Sequence, residues 1–144
     1  MKNISIALVL LSICFCGYTQ TLDANKVPQK VKDAFLKAHP ASTALWELEG
    51  ANYEANFKED GQSMSCVINK QGKILETESS ITETELPVNA KNYMNTHYKG
   101  KPWKEVTKIV KANGEMNYEV NVGTDVLFDA KGNHLGKKQE KEKD

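Results

Sequence analysis

The chain has almost no means of forming a disulfide. Of its three cysteines, Cys14 and Cys16 fall in the apolar stretch at the start, which leaves Cys66 alone beyond it. An internal bridge is therefore excluded in the mature chain, and pairing between two chains is the one disulfide the count leaves open. Cys66 lies in Met64-Ser65-Cys66-Val67-Ile68, in phase with Met64 and Ile68. It reads as a small buried apolar residue rather than a nucleophile. Excess charge of either sign is also missing, with 19 basic against 19 acidic side chains. That balance argues against nucleic acid, which demands a basic excess or a concentrated basic face. The longest apolar run, Ile4 to Phe15, is too short to span a bilayer but has the length of a signal-peptide core.

Catalytic and metal-binding patterns are absent as well. The histidines are His39, His97 and His134, at two expected helix ends and one strand start, with no HxH, HExxH or CxxC spacing. No metal and no cofactor is expected from such a set. His97 falls on the apolar phase of its helix, where it should cap or pack. Beyond the leader every glycine marks a turn or a helix end, so no phosphate-binding loop follows a strand. Ser63, Ser65, Ser79 and Ser80 are outside any G-x-S-x-G turn. The chain is not expected to be an enzyme.

What the chain does contain is a repeated phrase. Asn52-Tyr53-Glu54-Ala55-Asn56-Phe57 returns as Asn117-Tyr118-Glu119-Val120-Asn121-Val122. In both, apolar residues alternate with Glu and Asn, the period of a strand with one buried and one wet face. Val27-Pro28 and Leu86-Pro87 each open a helical pattern, and proline suits the first helical turn. The first helix should run from Pro28 to about His39 with Val31, Ala34, Phe35 and Ala38 on one stripe. The second should carry Ala90, Tyr93, Met94 and His97 there and end near Gly100. Four strands should follow the first helix, at Ala44–Glu49, Tyr53–Lys58, Ser63–Ile68 and Lys73–Glu78, with Ser79–Glu85 a polar connector. Four should follow the second, within 103–111, Met116–Val122, Asp125–Asp129 and from His134 onward. Asp60-Gly61 signals a type I′ hairpin, and Asn69-Lys70-Gln71-Gly72 is echoed by Asp129-Ala130-Lys131-Gly132.

The expected architecture is α+β: a tandem repeat of one helix packed on a four-stranded antiparallel sheet, with two units joined side by side. A unit of about 60 residues buries only ~60% of its unfolded surface, so joining two removes edges and enlarges the core. The boundaries read as 1–19 signal peptide, 20–80 first repeat, 81–136 second repeat and 137–144 a disordered charged tail. Gly17 and Thr19 place small residues at the −3 and −1 positions of a cut before Gln20. A lipoprotein is the alternative, but Ile13 or Phe15 would then precede the acylated Cys14 or Cys16, where a small residue is expected.

One helix per unit covers one sheet face and leaves the other open. Glu54, Asn56, Glu119 and Asn121 should point onto that open face and are the candidate binding residues. They are also what the wet half of any half-solvated antiparallel sheet looks like.

The pattern resembles the PepSY-like, β-lactamase-inhibitor-protein-like family of small exported bacterial proteins. The resemblance rests on Val27-Pro28, Phe35, His39-Pro40, Trp46, Tyr53 to Phe57, Asn69 to Leu75, Leu86-Pro87, Tyr118-Glu119-Val120 and Phe128 to Gly132. It implies the same tandem fold, an open sheet face available to partners, and a periplasmic location. Inhibition of β-lactamase is not implied, since the namesake uses disulfides that this mature chain cannot form internally. The expected function is an exported, periplasmic or extracellular, non-catalytic binding module. Its partner would be a protein or peptide of the cell envelope, with no nucleic acid and no membrane span after signal cleavage. The alternative is a small-ligand or cation-binding protein using the Glu and Asn rows.

Overall fold

The computed structural model describes residues 21–137. The signal peptide expected over 1–19 and the tail from 138 onward lie outside the described residues. Helix α1 spans Gln29–Ala38 and is followed by strands β1 (Leu45–Glu49), β2 (Asn52–Glu59), β3 (Gln62–Ile68) and β4 (Ile74–Ser80). Helix α2 spans Val88–His97 and is followed by β5 (Glu105–Lys111), β6 (Met116–Asn121), β7 (Asp125–Asp129) and β8 (His134–Lys137). All eight strands form one antiparallel sheet whose spatial order is the chain order. At the centre β4 pairs with β5, from Glu76 opposite Lys111 to Ser80 opposite Thr107. The outer side of β1 receives an isolated bridge, the Leu22 N–H donating to the Trp46 carbonyl at 2.6 Å.

Both helices begin as their sequences dictate. Pro28 and Pro87 stand at the N-caps with φ of −56° and −54°, where a missing N–H removes no intrahelical bond. Val31 and Phe35 of α1 are buried with Trp46, Tyr53, Ala55, Phe57, Cys66 and Ile68. Phe35 meets Trp46 and Phe57 edge-on, at centroid distances of 5.6 and 5.1 Å. Ala90 and Met94 of α2 are buried with Val106, Val120, Val122, Val126 and Phe128. Each helix thus has its own core on the same side of the sheet. Tyr53 belongs to the first core, and Tyr118 packs half-buried against the second.

Two turns tie the sheet to the helices. The side chains of Asn69 and Asp129 each accept two backbone N–H bonds, from Gln71 and Lys73 and from Lys131 and Asn133. Gly72 and Gly132 then sit at φ of +82° and +81° directly beneath the helix starts. A Cβ on Gly72 would stand 2.8 Å from the Lys30 carbonyl oxygen, and one on Gly132 2.7 Å from the Ala90 nitrogen. Asp60 and Gly61 both have positive φ, as a type I′ hairpin requires.

Three expectations are corrected. Ala38 and His97, placed on the buried stripes by spacing, are exposed. The α1 stripe is completed instead by His39, whose ring lies 5.6 Å from Phe35 and 4.4 Å from Phe57 while its Nδ1 reaches Glu59 at 3.2 Å. The His97 ring rests on Tyr93 at 4.2 Å, outside the core. Ser79–Glu85 is not a bare connector. Ser79 and Ser80 extend β4 because Lys108 and Thr107 pair with them, and Glu83–Glu85 forms a 3-10 turn closed by a Thr82/Glu85 capping box.

Candidate functional site

Strand alternation decides which side chains face away from the helices. Tyr53, Ala55 and Phe57 point into the first core, so Glu54 and Asn56 point out of it; Val120 and Val122 do the same for Glu119 and Asn121. Register then arranges the open face in cross-strand rows. One row runs unbroken from β1 to β7, through Leu45, Asn56, Ser65, Glu78, Ile109, Asn117 and Asp129. A second passes through Glu47, Glu54, Val67, Glu76 and Lys111. A third joins Ser80, Thr107, Glu119 and Leu127.

The four residues singled out by sequence do not form one cluster. Glu54 and Glu119 sit on β2 and β6, four strand spacings or about 19 Å apart across the sheet. Asn121 holds the β6–β7 turn, accepting the Gly123 N–H at 3.0 Å and donating to Asp125 at 2.6 Å. Asn56 lies elsewhere, on the wall of a shallow depression of about 190 Å³ in the open face. Its lining includes Asn56, Ser65, Glu78, Ser80, Glu105 and Thr107, from β2 to β5. The depression therefore straddles the joint between β4 and β5.

Ser65 is the unusual member. Its residue is only 7% exposed, and its Oγ meets no hydrogen-bond partner among the described residues. A buried hydroxyl left without a partner costs about 1–3 kcal/mol. Its cross-strand neighbours in the same depression are Asn56 and Glu78. Thr107, also 7% exposed, stands opposite Ser80. Spacing alone did not single out Ser65, Glu78, Glu105 or Thr107. The available signal was the alternation of Ser63 and Ser65 with Met64 and Cys66, and it could not say that β5 would lie alongside.

Electrostatically the open face is acidic. Glu47, Glu54, Glu76, Glu78, Glu105 and Glu119 project from it, against Lys58 and Lys111 among the described strands. Directly behind it, burial and then the nearby Glu54 carboxylate push the Cys66 thiol up to about 12. Cys66 is therefore a packed thiol with no nucleophilic character at neutral pH. Among the described residues no group of three or more His, Cys, Asp or Glu is placed to hold a metal ion. No described helix is long and apolar enough to cross a membrane.

Two helices on one side of an eight-stranded antiparallel sheet, with no helix on the other side among the described residues, define an α+β class. The chain belongs to the PepSY-like, β-lactamase-inhibitor-like family, whose model matches residues 51–135. A BLIP-like protein from Bacteroides fragilis NCTC 9343 shares 23% identity and a TM-score of 0.60, covering 89% of this chain and 94% of that one. A DUF2874 family protein from Bacteroides uniformis ATCC 8492 shares 21% identity with a TM-score of 0.68, over 77% of this chain and 88% of that one. A protein from Bacteroides eggerthii DSM 20697, provisionally described as periplasmic, shares 19% identity with a TM-score of 0.68, over 78% and 88% of the two chains. At these identities the likeness is one of fold. No curated protein matches the chain.

Proposed function

We propose that the mature protein is an exported, non-catalytic binding module of the periplasm that docks a cell-envelope protein on its open sheet face and regulates it. The observation that carries this reading is the one-sidedness of the sheet: both helices cover the same face, and the other offers continuous cross-strand rows. Membership of an inhibitor-like family supports a protein partner, and the provisional description of the B. eggerthii neighbour supports the periplasm. The 190 Å³ depression is smaller than the ~300–1,000 Å³ typical of small-molecule pockets, which favours surface docking over enclosure of a ligand. We also read the chain as two copies of one helix-plus-four-strand unit, 20–80 and 81–136, behind a signal peptide at 1–19. The paired turns at Gly72 and Gly132 support that reading.

The test is affinity capture of the mature protein from periplasmic extract with cross-linking, repeated with Glu54→Lys and Glu119→Lys. Cross-links confined to open-face strands, with capture lost in the charge reversals, support the reading. A partner whose cross-links map to α1 and α2 refutes it.

A further inference from the structure

We propose that the depression at the β4–β5 joint is a socket for the ammonium group of a lysine side chain presented by the partner protein. The inference rests on the docking reading and adds the chemistry of its anchor. Three observations meet at this place. Ser65 Oγ is buried and has no hydrogen-bond partner among the described residues, yet it lines the depression. Asn56 and Glu78 flank it in one cross-strand row, so acceptors come from three adjacent strands around one point. Glu105 brings a second carboxylate to the rim, and the surrounding face is acidic.

The donor set selects the occupant. Glu78 and Glu105 supply negative charge, the other polar groups are hydroxyls and an amide, and among the described residues no group of three or more His, Cys, Asp or Glu is placed to hold a metal ion. An anion is repelled by both carboxylates. An ammonium is a compact charge with three donors that point apart, which matches acceptors converging from β2, β3 and β4. A planar guanidinium fork is better served by one carboxylate facing it squarely. Lysine's slender four-carbon stem also reaches a shallow recess without the partner's backbone entering it.

Nα-acetyl-lysine amide, titrated against the 15N-labelled mature protein at low salt, tests the socket directly. The expected result is saturable shifts of the Ser65, Glu78 and Thr107 amides, absent with the Nε-acetylated compound. Apparent affinity should fall about tenfold or more in Glu78→Gln and measurably in Ser65→Ala, both of which keep the side-chain volume nearly unchanged. No saturable shift at these amides, shifts spread evenly over the acidic face, or equal binding of the Nε-acetylated compound would each overturn the proposal. So would an unchanged affinity in Glu78→Gln. The docking reading fails separately: a partner that cross-links to the helices refutes it whatever the titration shows. A partner held on the open face with equal strength by Glu78→Gln refutes the socket alone.

Discussion

Cys66 shows at the residue scale how a position outweighs an intrinsic chemistry. A thiol ordinarily ionises near pH 8.5, but burial against Ile68 and Ala55, with Glu54 close by, holds it neutral. It should resist an aromatic disulfide reagent in the folded protein at pH 8 and react fully in denaturant. Because the folded thiol titrates above the unfolded one, its contribution to stability is complete below about pH 9 and is lost as pH rises toward about 12. Urea midpoints that stay flat between pH 8 and 11 in wild type and Cys66→Ala alike would contradict this.

Asp129 works in the opposite direction. The Asn133 side-chain amide, and then the backbone N–H groups of Asn133 and Lys131, hold its carboxyl below the usual range. Its stabilising effect is present above the unfolded value near pH 3.9 and is lost as pH falls through the lowered folded value. Asp129→Asn should leave stability at pH 7 close to wild type, since Asn69 makes the same backbone bonds in the first turn, and should flatten the acid limb of the stability curve. Thermal melts from pH 7 to pH 2 measure both.

At the scale of the element, the two glycine turns and the central ladder matter most. Gly132→Ala combines a positive φ with a Cβ driven against Ala90 and Pro87 at the start of α2. It should cost on the order of 3 kcal/mol, against about 1 kcal/mol for Gly114→Ala, whose φ of +82° nearly equals the +81° of Gly132 but which has open space around it. Chemical denaturation of the two variants gives the comparison, and equal losses would mean that helix contact is not what demands glycine there. The β4–β5 ladder is bracketed by the Ile81 N–H donating to Val106 at 2.8 Å and the Ala112 N–H donating to Leu75 at 2.7 Å. Both amides should exchange only through global unfolding; exchange as fast as that of the Gly61 turn amide would show a joint that opens on its own.

At the scale of the whole molecule the question is whether the two cores unfold as one. Trp46 is buried in the first and Trp103 packs against the second, so Trp103→Phe and Trp46→Phe variants each leave one reporter. Coincident urea midpoints are expected, because unfolding either half strips a central strand of its ladder partner and exposes an edge. Midpoints separated beyond the effect of the substitutions themselves would identify independent halves.

Much of this was legible in the order of the residues, because local chemistry writes it there. Pro28 and Pro87 announce helix starts, the Asn-Tyr-Glu phrase announces amphipathic strands, and Asp60-Gly61 announces its hairpin. The identity of the wet residues on β2 and β6 follows from the two-residue period alone. Tertiary pairing decided the rest. Ser79 and Ser80 carry no strand signal and became one when β5 supplied their partners. His39 took the place that spacing assigned to Ala38 because, as the C-cap, it leaves helical geometry at φ −131° and lays its ring on Phe57 with Nδ1 at Glu59. The socket around Ser65 exists only because β2, β3, β4 and β5 lie side by side, and no periodicity within one strand records which strand will be its neighbour. Sequence determined the elements and their two faces through local sterics and hydropathy; the sheet's order, a matter of long-range hydrogen bonding, decided where on the polar face a site could form.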